Sequence, residues 1–467
     1  MITIQTPNLL LDKLIEGAHK AKQFQRPIIV SFTSKMNSQD ALAYFSFAKH
    51  QSDSRSFWTD PKRELTLIGI HSALAFEAKG LDRFKKLQNQ WQDFLQHAII
   101  DSDKSVPATG PTIVGGFCFD PLKEKTPLWK AFPDAKLILP KYLITIYKNK
   151  TFLTTNFVIS DTDDPHLILK QTETERDRLF HSQFQHDEDK PISFIKEEVN
   201  PQGWMKTVEK TTEDIKKHQL EKVVLAREMR LYANRSFSPE KALRRLLAEQ
   251  TSSFVFAFEY GGHCFIGATP ERLAKREGEQ ILFTCLAGSM KRGKTDAEDD
   301  QLGNFLLRDH KNRHEHQLVV DMIADVAKRM CKNVQVPNGP ILFKSRHIQH
   351  LFTPITARAA DHPLLAIIEA MHPTPALGGY PKNKGVAKIR LIEELDRGWY
   401  ASPIGWLDHH GNGEFAAAIR SALLKGKEAS LFAGVGLVAD SDPRSEYEET
   451  LIKFKPMLSA LGDENDD

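Results

Sequence analysis

The chain has 467 residues, with 63 Lys and Arg against 61 Asp and Glu, a net charge of +2. That balance excludes a protein whose affinity rests on neutralising many phosphates, so nucleic acid is not expected as a partner. An apolar fraction of 41% beside a charged fraction of 27% excludes disorder and collagen-like repeats and provides material for a large core.

Length alone allows roughly two to four structural units, or one large β-rich unit. Cys118, Cys264, Cys285 and Cys331 form no C-x-x-C pair and have no metal-like spacing. They read as reduced packing thiols of a cytosolic protein. The start, Met1 to Lys13, has no basic region followed by an apolar one, so no secretory signal is expected. No apolar run approaches the roughly 20 residues of a membrane span. The expected location is the cytoplasm, with no membrane partner.

In chain order, a first helix is predicted around Leu9 to Lys22. Strand-like runs follow at Ile28 to Phe32, Leu65 to Ile70 and Thr112 to Phe119. Tyr142 to Tyr147 and Phe152 to Val158 flank Lys148-Asn149-Lys150 as a hairpin, because both runs are rich in Ile, Thr, Phe and Val. This first third reads as scaffold, or as a lid over a site made elsewhere. From Asp161 to Asn200 the composition turns polar, including His186-Asp187-Glu188-Asp189-Lys190-Pro191, and a surface linker or exposed helix is expected.

After Pro201 a helix carries Trp204, Val208 and Ile215 on one side and gives way to the strand Lys222 to Ala226. Phe254, Phe256 and Phe258 alternate toward one face before Gly261-Gly262, with His263 to Gly267 as the returning strand. One long helix is predicted around Asp300 to Lys332, then strands near Ser402 to Trp406, Glu414 to Ile419 and Leu431 to Ala433. The acidic tail Asp463 to Asp467 reads as solvated. The division expected is an N-terminal mixed portion, residues 1–200, and a catalytic portion, 201–460, continuous with it.

Three familiar signals fail on inspection. Gly434-Val435-Gly436-Leu437-Val438-Ala439 fits G-x-G-x-x-A, but Asp440-Ser441-Asp442-Pro443 follows where a dinucleotide site needs a helix. His310 and His314 stand at i and i+4, yet Lys311 occupies the position a zincin gives to Glu. No P-loop or nucleophile-elbow pattern is present.

What remains is a scattered set of acids and bases. Glu315 lies on a helix whose Leu318, Val319, Met322, Ile323 and Val326 make an apolar face. Glu446 and Glu449, at i and i+3, can share a helical face, and a carboxylate pair suits a hard cation such as Mg²⁺. Lys222 begins an apolar strand and Glu271 ends another. Burial would favour the neutral form of each, which makes the first a potential base and the second a potential acid. Singly, each also fits a structural ion pair or a solvated face.

Read together, Lys222-Val223-Val224-Leu225-Ala226-Arg227, Gly267-Ala268-Thr269-Pro270-Glu271, Leu286-Ala287-Gly288-Ser289 and Arg313-His314-Glu315-His316 resemble the chorismate-utilising enzymes. So do His372-Pro373-Thr374-Pro375-Ala376-Leu377-Gly378-Gly379, Ile419-Arg420, Ala433-Gly434-Val435-Gly436 and Glu446-Tyr447-Glu448-Glu449-Thr450. The match runs from about Pro201 to Pro456. The resemblance implies an α/β (α+β) fold with large β-sheet layers inside and helices packed outside. Within the family, His-Pro-Thr-Pro-Ala-Leu with Arg-His-Glu-His is similar to isochorismate synthases, and the long first third to the menaquinone-pathway form.

The implied reaction is Mg²⁺-dependent conversion of chorismate to isochorismate, an isomerase activity. By resemblance Lys222 is the general base and Glu271 the general acid. Glu315 and Glu449 resemble Mg²⁺ ligands, with Glu446 a third. Gly288, Ser289, His350, Tyr400, Arg420, Gly434, Gly436 and Lys453 would bind substrate. Salicylate synthase, anthranilate synthase component I and a catalytically silent relative that only binds a ligand or partner are the alternatives. Gly379-Tyr380-Pro381 varies on the small-x-Pro sequence common after this motif.

Overall fold

The computed structural model describes residues 7–49, 52–181, 192–217, 220–345 and 348–462. The run His186 to Pro191 and the tail Asp463 to Asp467 lie outside the described residues.

The strands join in one continuous network of ladders, and all pairings are antiparallel except Ile28–Met36 with Ile99–Asp101. Its centre is the long pair Leu65–Ala78 and Ala135–Tyr147. The expected hairpin is present, Ala135–Tyr147 turning into Lys150–Ile159. Lys148 and Asn149 both have positive φ, 46° and 66°, the two-residue turn whose twist matches the flanking strands.

Two arms leave the central pair. The first runs through Ser54–Thr59, Phe254–Tyr260, His263–Thr269, Ser421–Lys425, Glu428–Leu437 and Lys222–Ala233. The second runs through Thr112–Phe117, Pro403–Asp408, Gly413–Ala417, Arg272–Glu277, Gln280–Lys291 and Ile348–Ala359. Strands of the first 200 residues therefore pair directly with strands of the last 270 or so in both arms.

Many strands are buried on both faces, so they read as continuous apolar runs; Phe254–Tyr260 and Gly413–Ala417 are examples. Helices supply the cover. In Pro201–Lys216 the predicted stripe of Trp204, Val208 and Ile215 is buried, joined by Thr211 and Thr212.

One expectation is met and extended, and one needs correction. The polar stretch after Asp161 forms the expected exposed helix, Pro165–His181, and then an unexpected strand, Phe194–Glu198, which pairs with Lys222–Ala233. The single helix around Asp300 to Lys332 is two, Asp296–Arg308 and His310–Met330. Asp309 adopts extended backbone between them, and its carboxylate accepts from the Asn312 N–H as the N-cap of the second. The break reorients the chain just before Glu315.

Candidate active site

A cavity of about 260 Å³ opens between the far ends of the two arms. Gly434 and Gly436 line it from the first arm; Gly288, Ser289 and His350 line it from the second. Glu271 lies where the chain passes from His263–Thr269 in the first arm to Arg272–Glu277 in the second. Arg420 lies at the reverse passage, from Gly413–Ala417 to Ser421–Lys425. Two backbone bonds tie the passages together: Ala417 N–H donates to the Glu271 carbonyl at 2.9 Å, and Ala268 N–H donates to that of Arg420 at 3.1 Å. Glu315, Tyr400, Glu446, Glu449 and Lys453 complete the lining, so every residue expected at the site borders this cavity except Lys222.

Lys222 stands just behind. It is 1% exposed, and its Nζ donates to Glu315 Oε1 at 2.6 Å. Gly436 separates it from the cavity: a Cβ there would come within 2.7 Å of Lys222 Cε. Glycine at 436 leaves the space between the Lys222 amino group and the cavity open.

Glu271 is buried, and loss of hydration pushes its carboxyl up to about 7 against the opposing pull of Thr374, Lys222 and Lys453. Thr374 Oγ1 donates to Glu271 Oε1 at 3.4 Å. A carboxyl in this setting holds a proton near neutrality and can give it away.

On the helix Pro443–Leu461, Glu446 and Glu449 occupy one face. Burial raises the Glu446 carboxyl, and the charge of Glu449 adds to the rise. Glu449 is lowered by Lys453, whose Nζ lies 2.7 Å from its Oε1 and also donates to the Gly434 carbonyl at 2.9 Å. Among the described residues no three His, Cys, Asp or Glu side chains converge as a preformed metal cage. Three carboxylates border the cavity, Glu446 and Glu449 as repelling neighbours on one helix and Glu315 on another, and this still fits a hard cation, because Mg²⁺ takes one or two protein carboxylates and fills its remaining positions with water and substrate oxygens.

The opposite wall is shaped by a bulge. Ala287 pairs with Leu351 and Ser289 with His350, leaving Gly288 as the extra residue at φ 75°. Ser289 N–H donates to Asn312 Oδ1 at 3.2 Å, and Ser289 Oγ lies 2.7 Å from His350 Nδ1. Burial, then Arg420 and Lys453, push His350 down to about 3, so its ring is neutral. Arg420 has positive φ, 51°, and among the described residues no hydrogen-bond or ion-pair partner meets its guanidinium. Burial lowers its pKa, opposed by Tyr400 and Glu449. A half-buried, unengaged fork facing a cavity suits a carboxylate ligand.

Four residues that the sequence did not single out shape the site. Asn312 holds the bulge, as above. His316 joins the Glu315 helix to the second arm, with Nδ1 3.1 Å from the Ala287 carbonyl and Nε2 2.8 Å from Thr353 Oγ1; burial keeps it neutral, near 4. Arg397 borders the cavity and pairs with Glu393. A cap pattern at Asp309 and Asn312 and the four-residue spacing of Glu393 and Arg397 were available as signals; the groups that His316 and Arg397 meet across the fold are distant in sequence and leave none.

Residues 15–462 match the family described as chorismate binding enzyme. Isochorismate synthase MenF of Bacillus subtilis (strain 168) is 41% identical over 459 residues, covering 97% of each chain. The salicylate biosynthesis isochorismate synthase of Pseudomonas aeruginosa is 33% identical over 446 residues, covering 95% of this chain and 92% of that one. Among solved structures, the menaquinone-specific isochorismate synthase MenF of Escherichia coli superimposes with a TM-score of 0.79 at 22% identity, over 96% of this chain and all of the other. With its motifs gathered around one cavity and a family match over nearly its whole length, the chain belongs to the chorismate-binding enzymes.

Proposed function

We propose that the chain is a cytoplasmic isochorismate synthase that converts chorismate to isochorismate for menaquinone synthesis. The observation that carries this is the pairing of a buried carboxyl held near 7, Glu271, with a lysine, Lys222, screened from bulk water beside the same cavity. Identity of 41% across 97% of an isochorismate synthase supports it.

In this reading Lys222 takes a proton from water as its oxygen adds to C2 of the ring. The ring double bonds shift, the C4–O bond breaks, and Glu271 gives its proton to the departing oxygen, which leaves as water. One water enters and one leaves, so substrate and product are isomers. Arg420 and Lys453 hold the enolpyruvyl carboxylate, while Gly434 and Gly436 let the substrate approach the backbone. Ser289, with the neutral His350 behind it, and Tyr400 border the ring. Glu315, Glu449 and Glu446 would hold Mg²⁺, and the bound ion would supply positive charge to the ring carboxylate.

Purified protein incubated with chorismate and Mg²⁺ is expected to form isochorismate, followed by chromatography. Salicylate with pyruvate as main products, or anthranilate when ammonia is supplied, would overturn the reading. Removing Mg²⁺ with a chelator is expected to abolish turnover, and adding it back to restore it. Loss of the gene is expected to lower cellular menaquinone.

A further inference from the structure

Arg397, which borders the cavity, and its partner Glu393 are buried charges to which the chemistry above gives no task. Each side chain is 3% exposed, and they meet as a two-point fork, Nε to Oε1 at 2.6 Å and Nη2 to Oε2 at 2.7 Å. Their remaining bonds go to backbone. Arg397 donates to the carbonyl of Val224 at 2.8 Å and to that of Leu377 at 3.0 Å, and Glu393 Oε2 accepts from Ala226 N–H at 2.8 Å. The Phe119 ring covers the guanidinium, 4.3 Å from ring centre to Cζ.

These backbone groups belong to two catalytic segments. Val224 and Ala226 follow Lys222 on its own strand. Leu377 N–H and Gly378 N–H both donate to the Thr374 carbonyl, closing a turn, and Thr374 donates to Glu271. The pair thus joins the strand of the base to the turn that touches the acid. Stability alone is a weak reason for a buried ion pair, since well-packed apolar residues often serve as well. A bidentate fork fixes orientation, which neither apolar packing nor a lysine supplies.

We infer that Arg397 and Glu393 are positioning residues that set the placement of the Thr374 turn, and with it Glu271, relative to Lys222. This rests on the reading of Lys222 and Glu271 as base and acid. A displacement of about 1 Å between reacting groups costs on the order of 100-fold in rate, so loss of the fork acts on kcat more than on substrate binding.

The test compares the unsubstituted chain with Arg397→Lys and with the double variant Arg397→Met/Glu393→Met, which removes both charges together so that neither is left buried alone, at the cost of the bonds to Val224, Leu377 and Ala226. Isochorismate formation by the unsubstituted chain is read first, and its absence overturns the base-and-acid reading itself. With that activity present, both variants are expected to lose about 10- to 100-fold in kcat, with KM within about threefold, while the double variant melts lower than the parent because Val224, Leu377 and Ala226 lose their partners. In Arg397→Lys the high-pH limb of kcat is also expected to move, because the effect of Lys222 on Glu271 depends on their separation. Parent-like kcat in either variant overturns the inference. So does an Arg397→Lys variant in which kcat falls only in step with melting temperature while the limb stays in place. Should the double variant not fold, Arg397→Lys decides.

Discussion

Glu271 does its proposed work by being uncomfortable when charged. Its carboxyl sits near 7 chiefly because burial strips water from the ionised form. A general acid must carry its proton, so kcat is expected to fall as pH rises through about 7, and the stopped-assay pH profile checks it. The same shift acts on folding. With the folded pKa raised from 4.5 to about 7, the contribution of Glu271 to stability is complete below 4.5 and is lost progressively as pH climbs to about 7. Glu271→Gln keeps the shape and cannot ionise. It is expected to lower turnover about 10²- to 10⁴-fold while melting higher than the parent at pH 8, a divergence visible by paired kinetics and thermal denaturation. Charged pairs and glycines of this kind were legible in the sequence because each belongs to a short run with fixed neighbours. Arg397 was not, because its pairing with Glu393 also fits an ordinary surface ion pair, and the Val224 and Leu377 carbonyls that give the pair its place meet it only on folding.

At the scale of elements, strand ends and turns aim the groups. Gly436 lies in the strand Glu428–Leu437 opposite Val224, which stands two residues along from Lys222 on the neighbouring strand. Gly436→Ala would bring a methyl to 2.7 Å from Lys222 Cε, the movable end of a long side chain. The expected outcome is a drop in kcat of about tenfold or more with a stability change under about 1 kcal/mol, read by steady-state kinetics beside urea unfolding. The strands and their hairpins were largely legible, since runs such as Phe254 to Tyr260 have strand composition and end at glycines. The long helix was misjudged at Asp309. Apolar spacing continues across it, and only the cap bond to Asn312 reveals that the axis stops and restarts. The passages that carry Glu271 and Arg420 between arms had no sequence mark at all, because they depend on which strands pair.

For the whole molecule, the two halves of the sequence share their sheet and their buried charges. Arg55, from the first third, donates to Glu240 at 2.8 Å and to Glu259 at 2.6 Å, with its side chain 3% exposed. Arg55→Met leaves both carboxylates without that partner and is expected to cost about 3–5 kcal/mol, measured by urea denaturation. Residues 201–467 expressed alone lack Ser54–Thr59 and Thr112–Phe117, which pair with Phe254–Tyr260 and Pro403–Asp408. That fragment is expected to be inactive and aggregation-prone, which size-exclusion chromatography and activity assays would check.

The same interleaving gives the protein a history during its manufacture. Gly116 pairs with Ile404, a partner made about 290 residues later. At roughly 5 to 20 residues per second, the edge of its strand waits about 15 to 60 s on the ribosome before that partner has been built. An open strand edge is a template for any neighbouring chain. Faster completion of the chain, or a factor that covers that edge until the strand of Ile404 emerges, is therefore expected to raise the yield of protein in which the catalytic residues meet.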